Sequence, residues 1–327
     1  MRIITRSDVE RLLPVAACVD VMRSAMQETS RGNATLPIRQ FIPIPHAPGK
    51  LAVMPGTLGA PACFGIKLVC KYDRPHGDPL GTHVGMVMLF DSDKGIPLAM
   101  IEGSSLTAIR TSAASALATD VLAREDARRV AIIGNGEQAM RHSHAMRAVR
   151  KIEHFTVWGR DAARTEAFAA RVYRETGVET AAAATVEAAV AEADIICTAT
   201  SAKQPILFGR HLKSGQHINL VGAAIPSAAE ADDEAVARSR FYVDYQDAAM
   251  AAAGELLGAI SRGAVQDNHI VGEIGNVIDG TAPGRSNGDE ITIYKSLGVA
   301  SQDLAAAHAI WTMAETENSG ASIDLLD

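Results

Sequence analysis

The segment Val130-Ala131-Ile132-Ile133-Gly134-Asn135-Gly136-Glu137-Gln138-Ala139 limits this chain more than any other stretch. Val130 to Ile133 is apolar and largely β-branched, which suits a parallel strand buried on both faces. It runs into Gly134-x-Gly136-x-x-Ala139, and Met140, His144, Ala145 and Val149 follow at helical spacing. A glycine turn between a strand and a helix is the context of a dinucleotide site. Gly134 permits the tight turn, Gly136 lets the backbone approach a pyrophosphate, and Ala139 lets the helix lie against the strand. The helix start at Glu137 and Gln138 offers free N–H groups and a positive dipole end to phosphates. An ordinary βα turn can carry the same glycines, so the flanking elements matter as much as the motif.

A chain of 327 residues has room for two domains with proper cores. Its composition, 47% apolar and 21% charged, is that of a globular protein. A formal net charge of −7 argues against a nucleic-acid surface, which needs a basic excess. Cys18, Cys63, Cys70 and Cys197 lack CxxC spacing, so buried thiols are expected rather than disulfides or a metal site. Arg2, Arg6, Asp8, Glu10 and Arg11 interrupt any secretory apolar region. No apolar run approaches the roughly 18 residues of a membrane span. A cytoplasmic protein that contacts neither membrane nor nucleic acid is the expectation.

The first third reads differently from the glycine-turn segment. Ser7 can cap a short helix, and a second helix starts near Pro14 and stops by Gly32. Strand-like runs follow at 41–44, 51–54, 64–70, 84–90 and 96–102, separated by turn residues. Strands without intervening helices predict an antiparallel or mixed sheet. Arg39 precedes one strand, Lys67 lies inside the apolar run Phe64–Val69, and Arg110 begins a small-residue helix. A cation buried in an apolar strand needs a partner, and a bound carboxylate is one. Lys67 pointing outward on a half-exposed strand is the competing reading.

Beyond residue 119 the βα alternation continues, which predicts a doubly wound parallel sheet with ligand at the carboxyl ends of its strands. Thr198-Ala199-Thr200-Ser201 ends one strand, and its short hydroxyl residues suit either a passing ribose or nicotinamide or plain packing. Val221-Gly222 ends the next and gives the backbone room to face a nicotinamide. The second strand ends in Trp158-Gly159-Arg160-Asp161. An acidic residue at the Gly159 position would bind the ribose hydroxyls of NAD. Arg160 there tilts the expectation toward NADP through a 2′-phosphate, with adenine stacking, or Asp161 turned toward a ribose, as the other options. Ser296 and Gly298 open the last helix, where small residues allow close approach to the nicotinamide.

Taken together, these motifs resemble the ornithine cyclodeaminase/mu-crystallin family over nearly the whole chain. The resemblance rests on Gly65-Ile66-Lys67-Leu68-Val69, Leu89-Phe90-Asp91, Gly95-x-Pro97-Leu98-Ala99 and Leu106-Thr107-Ala108-Ile109-Arg110-Thr111. It continues in Gly134-x-Gly136-x-Gln138, Asn219-Leu220-Val221-Gly222-Ala223, Pro283-Gly284-Arg285 and Lys295-Ser296-Leu297-Gly298-Val299-Ala300-x-x-Asp303. It implies a homodimer built through the first domain, with active sites between that domain and a nucleotide-binding domain. It also implies that Arg39, Lys67 and Arg110 hold a substrate α-carboxylate, with Lys67 able to serve in proton transfer. The last helix would return to the first domain. The expected fold is therefore α/β, a Rossmann-type domain at 119–304 plus a discontinuous α+β substrate-binding and dimerisation domain at 1–118 and 305–327.

One departure bears on the chemistry. Ornithine cyclodeaminases carry an acidic residue after Val-Gly, and here Ala224 stands in that place. A methyl group neither orients an amine nor shuttles a proton. Hydride transfer between NAD(P)H and the C=N carbon of a small 2-imino acid is the activity that remains, giving an L-amino acid. Cyclic ketimines such as pyrroline- or piperideine-2-carboxylate are candidate substrates, and so are linear imines such as iminosuccinate or iminopropionate. A deaminating cyclisation of ornithine and a non-enzymatic NADP-dependent binding role like that of mu-crystallin are the alternatives. Lys67 is the first candidate proton donor and His83 the second. Lys71, Arg74 and His76 near the same strand end raise the option of a second acidic group on the substrate, or of a solvated cluster offset by Asp73 and Asp78.

Overall fold

Alternating burial along successive strands builds the first sheet. In this computed structural model, which describes residues 1–75, 78 and 80–325, the strands β1 (Arg2–Ile4), β2 (Ala34–Thr35), β3 (Gln40–Pro43), β4 (Lys50–Leu58), β5 (Cys63–Lys71), β6 (His83–Asp91) and β7 (Pro97–Glu102) lie in one sheet with Ala321–Ser322. β4, β5, β6 and β7 pair antiparallel in sequence order, while β1 runs parallel to β7, so the sheet is mixed as expected. Every second residue of β5 from Cys63 to Val69 is buried, which places Lys67 on the covered face. The long helices Val15–Ser30 and Ala300–Glu317 cover that face, the second packing on β4, β5 and β6.

The first helix spans Arg6–Leu12, and its cap is Thr5 rather than Ser7. The Thr5 amide donates to Asp8 Oδ2 at 3.1 Å, the reciprocal arrangement that fixes a helix start two residues earlier. The short strands β1, β2 and Ala321–Ser322 have no readable alternation. They exist because neighbouring strands supply their hydrogen bonds.

The second sheet is wholly parallel. Its strands are β8 (Arg129–Ile133), β9 (His154–Trp158), β10 (Glu179–Ala182), β11 (Ile195–Thr198), β12 (His217–Leu220), β13 (Ser239–Val243), β14 (Ile270–Glu273) and β15 (Ile291–Lys295). They are ordered β10-β9-β8-β11-β12-β15-β13-β14. The order reverses beside β8, which makes the carboxyl ends of β8 and β11 the switch point of a doubly wound sheet. Ala131, Ile133, Ile196, Ile218, Leu220, Phe241 and Ile293 form the core on these strands.

The chain divides into two units, Met1–Arg110 with Gly298–Asp327, and Thr111–Leu297. Both divisions fall earlier than the expected 118/119 and 304/305. The first lies inside the helix Gly103–Leu122, and the second puts the whole helix Ala300–Glu317 with the first sheet. No helix among the described residues is long and apolar enough to cross a membrane. His76 and Leu326 lie outside the described residues.

Candidate active site

Lys67 points inward. Its side chain is 4% exposed, and Nζ donates to Asp303 Oδ1 at 2.9 Å. Arg110 Nε donates to the same oxygen at 2.9 Å, and Arg110 Nη1 donates to Gln302 Oε1 at 3.0 Å. Arg39 is half-buried, and its Nη2 donates to the Gly298 carbonyl at 2.7 Å. The three cations are thus gathered at the start of one helix, Ala300–Glu317, inside the first unit. Asp303 is the shared anion of Lys67 and Arg110, and its Oδ2 is buried without a hydrogen-bond partner. One carboxylate between two cations, with the Arg39 charge close enough to act on Lys67, leaves positive charge to offer a ligand anion.

Burial pushes the Lys67 ammonium down to about 7; Asp303 opposes this, and Arg110 and Arg39 reinforce it. A lysine so tuned gives and takes protons near neutral pH, which an exposed one does not. Burial alone would raise Asp303, but Arg110 and Lys67 together outweigh it and hold the carboxyl below its usual range. Gly298 completes the arrangement. Its φ of 76° is the left-handed region, and a Cβ there would come within 2.7 Å of Arg110 Nη1. The structure therefore places Gly298 against the cationic clamp, where the sequence suggested a role beside the nicotinamide.

His83 opens β6 and is exposed. Desolvation by its surroundings, then the charges of Lys71, Lys67 and Arg39, push its pKa down to about 4. It is therefore neutral near pH 7 and a poor source of a proton, so Lys67 is the better placed of the two candidates.

In the second unit Gly134 adopts φ 125°, and a Cβ there would lie 2.4 Å from the Ala199 carbonyl. Gly136 caps the helix Glu137–Val149, and a Cβ on it would meet nothing within 4 Å. That open space in front of a 13-residue helix is what a pyrophosphate requires. Gln138 Oε1 and Ser296 Oγ are buried without partners, further acceptors or donors left for a ligand. These features fit a dinucleotide.

Other expected contacts turn out to be internal. Thr198 Oγ1 donates to Glu230 Oε2 at 2.7 Å, and Thr200 donates to Glu230 Oε1 through N at 2.8 Å and Oγ1 at 2.7 Å. The Gly222 amide donates to Glu230 Oε2 at 2.6 Å. The threonine hydroxyls therefore shape the loops after β11 and β12 instead of presenting hydroxyls to a ribose. Ser201 is exposed and Val221 half-buried at the same strand ends. Gly159 is small because a Cβ would lie 2.6 Å from Asn135 Nδ2 and 2.8 Å from Thr165 Oγ1. A side chain at that position requires the Asn135 and Thr165 side chains to move. Asp161 is occupied in capping the helix Ala162–Thr176, accepting from the Arg164 amide at 2.9 Å, while Arg160 is exposed.

Two functional carboxylates escaped the sequence reading. Asp303 was visible only as a member of a motif, and Glu230 carried no local signal at all. Each is fully buried and defined by partners far away in the chain. A buried acid needs such partners, and spacing alone does not reveal them.

A glycine-turn sheet for a dinucleotide and a buried clamp for a small anion define an oxidoreductase. The ornithine cyclodeaminase/mu-crystallin family model matches residues 1–318. The chain belongs to that family. It is 35% identical over 327 residues to a Delta(1)-pyrroline-2-carboxylate reductase of Bacillus cereus, covering 99% of this chain and 100% of that one. The Delta(1)-pyrroline-2-carboxylate reductase of Thermococcus litoralis, solved with NADH and L-proline, superposes with a TM-score of 0.95 at 31% identity, covering 99% of this chain and 100% of that one. The iminosuccinate reductase of Paracoccus denitrificans, solved with NAD+, gives 0.92 at 28% identity, with 99% of each chain covered.

Proposed function

We propose that this protein is an NAD(P)H-dependent imine reductase that converts a small 2-imino acid into the corresponding L-amino acid. The observation that carries the proposal is Lys67, a buried lysine with a pKa near neutrality held among Arg110, Arg39 and Asp303. Relatives that reduce pyrroline-2-carboxylate and iminosuccinate support it.

The chain's own residues divide the work. Arg39 and Arg110 bind the α-carboxylate and fix the direction of the C=N bond. Lys67 Nζ delivers a proton to the imine nitrogen, so that the carbon becomes electron-poor and Lys67 is left neutral. Gly134, Gly136 and the helix start Glu137–Gln138 hold the dinucleotide phosphates, and Glu230 keeps the strand-end loops in shape. The bound nicotinamide supplies the hydride that the imine carbon accepts. The balance is imine plus reduced cofactor plus one proton, giving amine plus oxidised cofactor.

The dinucleotide is NAD or NADP. The exposed Arg160, together with a glycine rather than an acid at position 159, supports a preference for NADP. The chain also works as a homodimer in this reading. Leu51, Val53, Ile66, Leu68, Met86 and Met88 alternate with the buried residues of β4, β5 and β6 and form a half-exposed apolar face of the first sheet. Such a face is suited to a second copy.

The test is a spectrophotometric screen of NADH and NADPH oxidation with pyrroline- and piperideine-2-carboxylate, and with 2-oxo acids plus ammonia. Turnover that depends on the imino acid is expected. Ammonia release from ornithine with NAD would favour cyclodeamination instead, against which Ala224 stands. Cofactor binding without turnover of any imine would make the protein a binder.

A further inference from the structure

The register of the first sheet assembles a second polar row, two lysines and a neutral histidine. Lys50 of β4 lies directly opposite Lys71 of β5, and Lys71 lies directly opposite His83 of β6. Residues directly opposite in antiparallel strands share a face, and so do residues four apart on one strand. The row is therefore on the face that carries Lys67. Between the row and Lys67 lies a line of Ala52, Val69 and Gly85. Two of these are small, and Gly85 is packed directly against β5, where a Cβ would lie 2.1 Å from the Leu68 carbonyl. Phe41 continues that line, being paired with Ala52. Its ring has the Arg39 guanidinium at 5.9 Å and the Lys50 ammonium at 5.3 Å. One aromatic ring thus spans from the carboxylate clamp to the second row.

Like charges directly opposite each other destabilise a sheet. Neither Lys50 nor Lys71 makes an ion pair among the described residues, and the nearby acid that offsets Lys71 is Asp73. Burial, then Lys50, hold the Lys71 ammonium below its ordinary value, with Arg39 acting the same way and Asp73 opposing. The arrangement becomes favourable when an anion lies among these groups. Four residues of strand separate Lys67 from Lys71 by roughly 13 Å at the backbone, and lysine stems leaning inward shorten that span.

We propose that Lys50 and Lys71, with the neutral His83 beside them as a hydrogen-bond donor, form a second anion subsite that binds a distal carboxylate, so that the substrate is a 2-imino dicarboxylate. The inference rests on the imine-reductase reading and narrows its substrate class. Arg39, Lys67 and Arg110 hold the α-carboxylate, and the second row holds the carboxylate at the other end of a four- or five-carbon chain.

Two measurements on the full chain test this. The first compares kcat/KM for a dicarboxylic substrate, oxaloacetate plus ammonia, with that for pyruvate plus ammonia, in the wild type and in Lys71→Met and Lys50→Met. The dicarboxylic substrate should be preferred, and the ratio should fall about tenfold in each variant, the scale of one lost charge-assisted hydrogen bond. The second measures calorimetric binding of succinate against propionate, which needs no turnover. Succinate should bind more tightly, and Lys71→Met should remove the difference. Equal binding of the two acids, or a ratio unchanged by both variants, overturns the second subsite while imine reduction stands. Absence of turnover with every imine and both cofactors overturns the imine-reductase reading, whatever succinate does.

Discussion

Lys67 Nζ and Asp303 Oδ1 are 2.9 Å apart, both buried, and separated by more than two hundred residues of chain. This pair fixes the start of the last helix against β5. It also opposes the fall in the Lys67 pKa that burial causes.

Replacing Asp303 by Asn keeps the shape and removes the charge. Lys67 and Arg110 would then be buried without their counter-ion, a loss of about 3–5 kcal/mol. Urea unfolding should show a loss of that size in unfolding free energy, read as a lower midpoint at unchanged m-value. A variant as stable as wild type would show that the cations are hydrated and the pair is not buried in solution.

The reductive kcat/KM should fall as pH rises through about 7, where Lys67 loses its proton. This parameter reports the free enzyme. Asp303 raises the lysine pKa, so Asp303→Asn should move the inflection to lower pH. Lys67→Met should abolish it and cost roughly 10²–10⁴ in rate. Stability obeys the same linkage. The folded pKa lies below the unfolded lysine value of about 10.4, so between about 7 and about 10.4 the unfolded chain binds more protons and stability rises with pH. Lys67→Met should flatten that rise. A pH profile unchanged in Lys67→Met would assign the proton to another group.

Gly136 and Gly134 should separate binding from folding. Gly136→Val meets open space, and Gly136 has φ −96°, which any residue adopts. Its melting temperature should stay near wild type while NADH binding weakens by about tenfold or more, because the side chain fills the pyrophosphate space. Gly134→Val must take φ 125° against the Ala199 carbonyl, and it should lose stability as well. Fluorescence titration with NADH and a thermal melt of each variant distinguish the two. Undiminished NADH binding by Gly136→Val would remove the dinucleotide from this turn.

Glu230→Ala should loosen the loops after β11 and β12 together, since one carboxylate serves Thr198, Thr200 and Gly222. The expected loss is about 3 kcal/mol in unfolding free energy, as several buried donors lose their acceptor. NADH affinity should fall with it. A stable variant that binds NADH normally would reduce Glu230 to a bystander.

Arg160→Ala should lower the NADPH-to-NADH ratio of kcat/KM by about tenfold, the worth of one charge-assisted phosphate contact. An unchanged ratio would leave adenine stacking as the role of this side chain.

The glycine turn, the strands of the parallel sheet other than Ile270–Glu273, the mixed character of the first sheet and the candidate clamp cations were legible along the chain. Each depends on residues within a few positions of one another, through alternation, β-branching or the need for a Cβ-free turn. The cap at Thr5 was misplaced because Ser7 offers the same chemistry two residues later. Thr198 and Thr200 read as ligand contacts because short hydroxyls look alike whether they face a ribose or a buried Glu230.

By itself the sequence determined most of the longer strands and helices, where a pyrophosphate can approach a backbone, and which cations are available for a carboxylate. Tertiary structure decided what those groups do. It turned Lys67 inward, set its pKa by burial against Asp303, made His83 neutral, and aligned Lys50, Lys71 and His83 across three strands. Periodicity and turn chemistry are local and survive in one dimension. Desolvation and charge–charge coupling depend on distances in space between residues the chain keeps far apart.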